Sequence, residues 1–419
     1  MRNKSKGKGQ RAKGKGILIF AFGLWLFAFP NSGHADRSHT CGFEEGEAAS
    51  GITIWNVLGG SGVNIVTTPV YSGTYAMRAN RITSGTASLR RDLAAADTTG
   101  TYCQQMRLRR ATGTPSAATI VHQVRSSTST DAWQISVDTS NVLSLINAND
   151  ASSITGPTLT IDTWYQVESC VLLSTTVGTL ELKVDGVSQG TLTGKNTLPT
   201  NVNYFYWGIF NTVVTADFYF DDIVLNTELG TVFNSWPNGE RIALLKPASD
   251  NTVLWTKTGA NCSGTTNTDC VDDQPGTPDD ASGYTMSATA NQEDRLNVGT
   301  LPAEVPSDAD MLVLDVYYRW GGNGNTGTRE GRTLIWDEAS VQTNGPTHNR
   351  CDFAAGTWNI ATTANHQVFD LGARSKANVE AFDLGYEPLN SAECRVTSLW
   401  GNVGWKAASA TRNRVVVIE

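Results

Sequence analysis

Alternation with a period of two residues recurs along this chain more than any other pattern. Leu180, Leu182 and Val184 alternate with Glu181, Lys183 and Asp185, and Asp185-Gly186 closes the run. Successive side chains of a strand point to opposite faces, so such a run buries one face and wets the other. Asp-Gly supplies the positive φ that a type I′ turn needs at both central positions, which predicts a hairpin here. Similar runs predict strands at 74–78, 101–108, 118–125, 133–137, 142–146, 164–173, 204–210 and 218–225. Further along, strands are expected at 241–245, 310–319, 332–337, 367–371, 378–384, 394–405 and 414–418. Gly, Asn, Asp, Ser and Thr clusters separate them. Helical periodicity is nearly absent, with 89–96 the one short candidate in the first half. The predicted class is all-β, with two β-sandwich (jelly-roll) domains in tandem.

The front end is different. Residues 1–16 hold seven basic side chains and no acid, and residues 17–29 form an apolar run of 13. Pro30 and a small-residue region ending Gly33-His34-Ala35 follow, the order of an export signal with Asp36 as the mature start. Thirteen helical residues rise only about 20 Å, short of the roughly 30 Å hydrocarbon core. A secreted protein is expected; an uncleaved membrane anchor and a misassigned start codon are the alternatives. Without residues 1–35, 25 basic residues face 40 acidic ones, which argues against nucleic acid as a partner. The remaining length suits two domains, drawn at 41–226 and 236–419 with a linker at 227–235.

All seven cysteines fall after residue 35, where an oxidising compartment would let disulfides persist. Proximity favours Cys262–Cys270, Cys103 and Cys170 share the first domain, and Cys351 and Cys394 remain for the second. Cys41 is left over and reads as a free or alternatively paired thiol. Residues 217–226 form an apolar strand interrupted by Asp221 and Asp222. A buried carboxylate without a partner is costly, and alternation would send the two acids to opposite faces, so one is expected inside and one outside.

Several segments resemble known families. Cys41-Gly42-Phe43-Glu44-Glu45-Gly46 followed by Trp55 looks like the opening strand of jelly-roll carbohydrate-binding modules, and 72–78 looks like their second strand. Thr163-Trp164-Tyr165 and the 178–186 hairpin are similar to the laminin-G and concanavalin A-like lectin sandwich. The closing 220–225 strand suits both groups. The step from that strand through a short joint into Arg241-Ile242-Ala243-Leu244-Leu245-Lys246-Pro247 resembles two-part accessory or receptor-binding proteins of tailed bacteriophages, although the export signal departs from that pattern. In the jelly-roll modules an ion sits between the first and last strands. Carried over, the resemblance implies a structural calcium held by Glu44 or Glu45 with Asp221 or Asp222; hydrogen bonds or an Arg or Lys partner are the alternative.

Signs of catalysis are weak. No alternating acid triplet, H-E-x-x-H, C-x-x-C or G-x-S-x-G is present. Glu181 and Asp185 share a face with Lys183 between them, which suits a solvated surface. His122 reads as a core or surface histidine. The Asp269, Asp272, Asp273, Asp279, Asp280 loop reads as solvated, and Gly321–Asn325 as a flexible loop. Sugar stacking would use exposed aromatics, with Trp133, Tyr204, Tyr206 and Trp207 the candidates. The expected partner is a glycan or cell-surface polysaccharide, with a homo-oligomer compatible. A non-enzymatic carbohydrate-binding or adhesion protein is therefore expected. The alternatives are a phage or prophage-type virion protein and a glycan-cleaving enzyme.

Overall fold

The strand of residues 217–226 lies between three partners in the structure, a computed structural model. It describes residues 37–408 except 47–53, 61, 81–84, 112–116, 211–215, 228–231, 261, 263–265, 279, 322–329, 350–357, 361–365 and 392. The expected signal segment, Cys351 and the 414–418 strand lie outside the described residues, as does most of the glycine-rich loop. Among the described residues no helix is long and apolar enough to cross a membrane.

Among the described residues, fifteen strands make the first sandwich. In chain order they are β1 (Arg37–Cys41), β2 (Val57–Gly59), β3 (Val63–Val66), β4 (Ala76–Asn80) and β5 (Ala87–Asp97). Next come β6 (Thr101–Arg110), β7 (Thr119–Arg125), β8 (Asp131–Val137), β9 (Val142–Asn147) and β10 (Ser153–Thr158). β11 (Trp164–Leu172), β12 (Gly178–Val184), β13 (Val187–Lys195), β14 (Val202–Ile209) and β15 (Asp217–Thr227) complete it. One sheet runs β13-β12-β11-β6-β15-β4-β3 with β1 also on β15, and the other runs β10-β9-β8-β7-β14-β5-β2. Every strand pair is antiparallel, and the inward side chains of both sheets share one apolar core.

The Asp185-Gly186 turn has φ of 48° and 77°, as the sequence requires. The 89–96 segment is strand rather than helix. Its β5 register against β14 buries Leu89, and strand pairing overrides its local helical pattern. The opening element also shifts. The strand is β1, which ends at Cys41, while 42–46 turns away with Phe43 at φ 61°.

In the second sandwich the 12-residue strand Asp310–Gly321 pairs along Cys394–Lys406. Arg241–Leu245, Tyr284–Ser287 and Gln367–Arg374 flank them, and a second sheet centres on Glu330–Trp336 and Asp383–Pro388. The expected 378–384 strand begins only at Asp383. Before it, Ser375 caps the short helix Lys376–Val379 in a capping box with Asn378.

Residues 34–419 form one compact unit. Tyr317 and Trp400 of the second sandwich belong to the core of the first. Arg37 and Glu240 form a buried bidentate pair at 2.8 and 2.7 Å, and Asn402 donates to the Thr40 carbonyl and to Glu45, both at 2.9 Å. The connector is also bound down: Asn238 N donates to Glu168, Gly239 N to Gln105, and Gln105 back to the Glu240 carbonyl. Disulfides join Cys103 to Cys170 and Cys262 to Cys270, and Cys394 is disulfide-bonded as well. Disulfides suit an extracellular protein. Cys41 is free and buried.

Candidate carbohydrate-binding face and acidic seam

The aromatic candidates divide by strand parity. On β14, Phe205 and Trp207 point into the core, whereas Tyr204 and Tyr206 lie on the outer face and stay partly exposed. Trp133 and Trp207 are 1% and 0% exposed, so neither offers a ring face to a sugar. This corrects the sequence expectation for those two residues. Trp207 packs against His122 and Trp55, which fill the space a ligand would need.

Around the two tyrosines the register assembles a polar surface. Tyr206 pairs with Arg90 on one side and Gln123 on the other, and Gln123 pairs with Gln134. Two residues along, Tyr204 lies between Asp92 and Arg125. The Arg90 guanidinium sits 4.5 Å from the Tyr204 ring centroid and 6.0 Å from that of Tyr206. Asp92 pairs with Arg90 at 2.6 Å and Asp131 with Arg125 at 2.7 Å, so both cations have local counter-charges. The arrangement offers two aromatic faces held by a cation, ringed by amides and guanidiniums. Such a surface can stack on sugar rings and hydrogen-bond their hydroxyls.

The acids expected at the first and last strands gather at the seam between the sandwiches. β15 pairs with β4 through Asp217–Phe220 and with β1 through Ile223–Asn226. Between those partners the ladder has a gap, and the register against β6 slips there, with Asp222 at φ 43°. The bulge breaks strict alternation, so Asp221 and Asp222 are both fully buried rather than split between inside and outside. Their carboxylates occupy the gap. Asp221 accepts from the main-chain N–H of Tyr71 at 2.8 Å and of Ser72 at 3.3 Å. Asp222 accepts from the Ser72 hydroxyl at 2.8 Å and from Ile242 N at 2.9 Å, which ties the second sandwich to the first.

Glu44 binds the same loop, accepting from Thr74 N at 3.0 Å and Tyr75 N at 3.1 Å. Gly73, just before them, has φ +68°, and a Cβ there would run into the Glu44 carboxylate. Burial pushes the Glu44 carboxyl up to about 8 against the pull of those N–H donors, with Glu45 and Asp222 adding to the rise. Burial also raises Asp222 to about 6, while Ser72, Ile242, Arg107 and Arg241 hold it down. Asp221 is pushed well up, first by burial and then by Asp222. Glu45 is raised by burial and tempered by Asn402. His122 falls to about 3 because burial penalises its cation.

The fit to calcium is incomplete. Among the described residues no three His, Cys, Asp or Glu side chains converge as a metal-holding group. The acids are largely engaged with N–H donors, which present the wrong end of the dipole to a cation. Asp222 Oδ2 is the exception, buried with no partner. The side chains alone therefore make no calcium cage. Glu44 also lines a groove of about 1020 Å³ at the seam, with Tyr75, Lys246, Gln274, Lys376 and Glu380.

Glu181 and Asp185 lie on the wetter face of the hairpin, and Asp185 accepts from Gln166 N. Asp280 in the acidic loop is paired with Arg319 at 2.7 Å. The Arg90–Tyr206 contact had no motif in the sequence; period-two parity plus cross-strand register would be needed to find it.

No protein-family model matches the chain, and no curated protein does. Solved structures do resemble it in part. An endo-β-1,4-glucuronan lyase from the fungus Trichoderma reesei matches at 12% identity and TM-score 0.33, over 41% of this chain and 90% of its own. The cellulose-induced protein Cip1 matches at 16% and 0.33, over 45% and 96%. The alginate lyase AlgAT5 of polysaccharide lyase family 7 matches at 14% and 0.29, over 39% and 88%.

Proposed function

We propose that this protein is an extracellular carbohydrate-binding protein that takes a polysaccharide chain on the outer face of the β5-β14-β7 region. The observation that carries this is the Tyr204–Tyr206 pair braced by Arg90 on an open sheet face, with Gln123 and Arg125 beside it. Because both cations there have carboxylate partners, stacking and hydroxyl recognition dominate over net charge. The test is binding of the full-length protein to a glycan array, followed by titration of the best ligand. Tyr206→Ala is expected to weaken binding at least ten-fold, since truncating an aromatic anchor at the centre of a binding site costs about 2 kcal/mol or more. Unchanged affinity in Tyr204→Ala and Tyr206→Ala would sink the assignment.

A glycan-cleaving enzyme is the second reading, and the same contact favours it. Arg90 would trade its Asp92 pairing for a uronate carboxylate, while Tyr206 carries the C5 proton to the departing O4 as the C4–O4 bond breaks and the C4=C5 double bond forms, the needs of an eliminating lyase. Release of unsaturated uronate products from an acidic polysaccharide would select this reading; binding without product selects the first. A structural calcium is not required by either. Its support is the orphaned Asp222 oxygen beside Asp221 and near Glu44.

A further inference from the structure

The opposite sheet carries a basic, aromatic patch that the binding reading does not use. Register places Trp164, Arg109, Tyr219, Arg78 and Asn64 in one row across five strands, β11-β6-β15-β4-β3. Arg109 lies 5.5 Å from the Tyr219 ring centroid, so cations and rings alternate along the row. At its edge Tyr71 packs edge-on to Trp164 at 5.9 Å, and two guanidiniums approach its ring, Arg107 at 4.1 Å and Arg241 at 4.9 Å.

Charge sets this surface apart. The chain has 40 acidic and 32 basic residues, yet four arginines gather here. Two have carboxylate partners: Arg109 with Asp162 at 2.9 Å and Arg78 with Asp217 at 2.6 Å. Among the described residues neither Arg107 nor Arg241 has a carboxylate within 4.0 Å. Arg107 is 7% exposed, and its Nε has no hydrogen-bond partner. The buried carboxyl of Asp222 and, for Arg107, that of Glu168 attract the two guanidiniums from beyond that distance, while Asp221, paired with Arg107 across the strands, is pushed up by burial. Arg107 Nη2 donates to the Gly239 carbonyl at 3.4 Å and Arg241 Nη2 to the Tyr71 hydroxyl at 3.3 Å, and the other donors of the partly exposed Arg241 fork suit a planar oxyanion.

We propose that this face is a second glycan site, selective for acidic polysaccharides. Arg109 and Arg241 receive carboxylate or sulfate groups and Trp164 packs against the sugar rings, while Tyr71 and the buried Arg107 stack behind them. The site stands apart from the Tyr204–Tyr206 face, on the other sheet, and does not depend on it.

The test uses the full-length protein, purified with its disulfides intact, and measures binding to polygalacturonate, dextran sulfate, uncharged dextran and single-stranded DNA at several salt concentrations. Binding to either acidic polysaccharide, weakening with salt and absent for dextran, is expected; the two polymers separate carboxylate from sulfate preference. Arg109→Gln combined with Arg241→Gln should reduce that affinity at least ten-fold at unchanged melting temperature. Arg241→Lys, which keeps the charge and loses the fork, should give an intermediate loss, and each single Gln variant stands in if the double variant fails to fold. No binding to either polyanion, equal binding to dextran, tighter binding to DNA, or full affinity in the arginine variants would overturn the proposal.

Discussion

Glu44 joins three features of the seam: a turn held by its carboxylate, a gap in the ladder nearby, and a groove at its edge. Its pKa is raised in the folded chain to about 8 from an ordinary value of 4.5, so the native state holds a proton that the unfolded state has lost. Stability from this group is full below about pH 4.5 and falls as pH rises through about 8, and Asp222, raised to about 6, acts in the same direction. His122 opposes them at the acid end, because its depressed pKa costs stability as pH falls below the unfolded value near 6.5. Glu44→Gln should therefore flatten the decline between pH 5 and 8, by on the order of 1–3 kcal/mol at the alkaline end. Denaturant melts of both proteins across that range check this, and an unaltered slope contradicts it. Repeating the wild-type melts with calcium and with a chelator tests the ion, since a bound cation would stabilise the ionised acids and raise the melting temperature at pH 8.

At the scale of elements, β15 shows how a sheet accommodates two acids in an apolar strand. β4 covers one end of its edge and β1 the other, and the carboxylates accept the N–H groups that bridge the interval. The apolar run 217–226 was legible as a closing strand, and its pairing with the first strand followed from the jelly-roll resemblance. The bulge was not legible, because it depends on where two other strands end. β14 gives the complementary case. Parity alone separates Tyr204 and Tyr206 from Phe205 and Trp207, but which parity faces the core depends on the partner sheet. β6 and β11 are additionally joined by Cys103–Cys170, 67 residues apart in sequence. Replacing both cysteines with Ala is expected to cost up to about 4.5 kcal/mol by the chain-entropy estimate. A denaturant midpoint within error of wild type would show that the sheet alone holds these strands.

The two sandwiches form one compact unit rather than two domains on a flexible joint. Trp400 and Tyr317 complete the core of the first sandwich, and Glu240 is the partner of buried Arg37. Residues 36–226 expressed alone would strip Arg37 of its carboxylate partner and expose the apolar seam. That fragment is expected to aggregate or to melt well below the full chain, as calorimetry and size-exclusion chromatography would show. A soluble fragment with the full-chain melting temperature would mean that the seam contributes little.

The sequence by itself determined the all-β class, most strand positions, the Asp185-Gly186 turn and the pairing of Cys262 with Cys270. Those features depend on period-two patterning, local φ preference and short separation along the chain. Only the tertiary structure decided which aromatics are open, where both aspartates go, and that Glu44 and Asp222 hold the same loop. It also brought Arg107 and Arg241, 134 positions apart, to one tyrosine ring. Register and the docking of the two sandwiches set those contacts, and both depend on the mutual burial of surfaces distant in sequence.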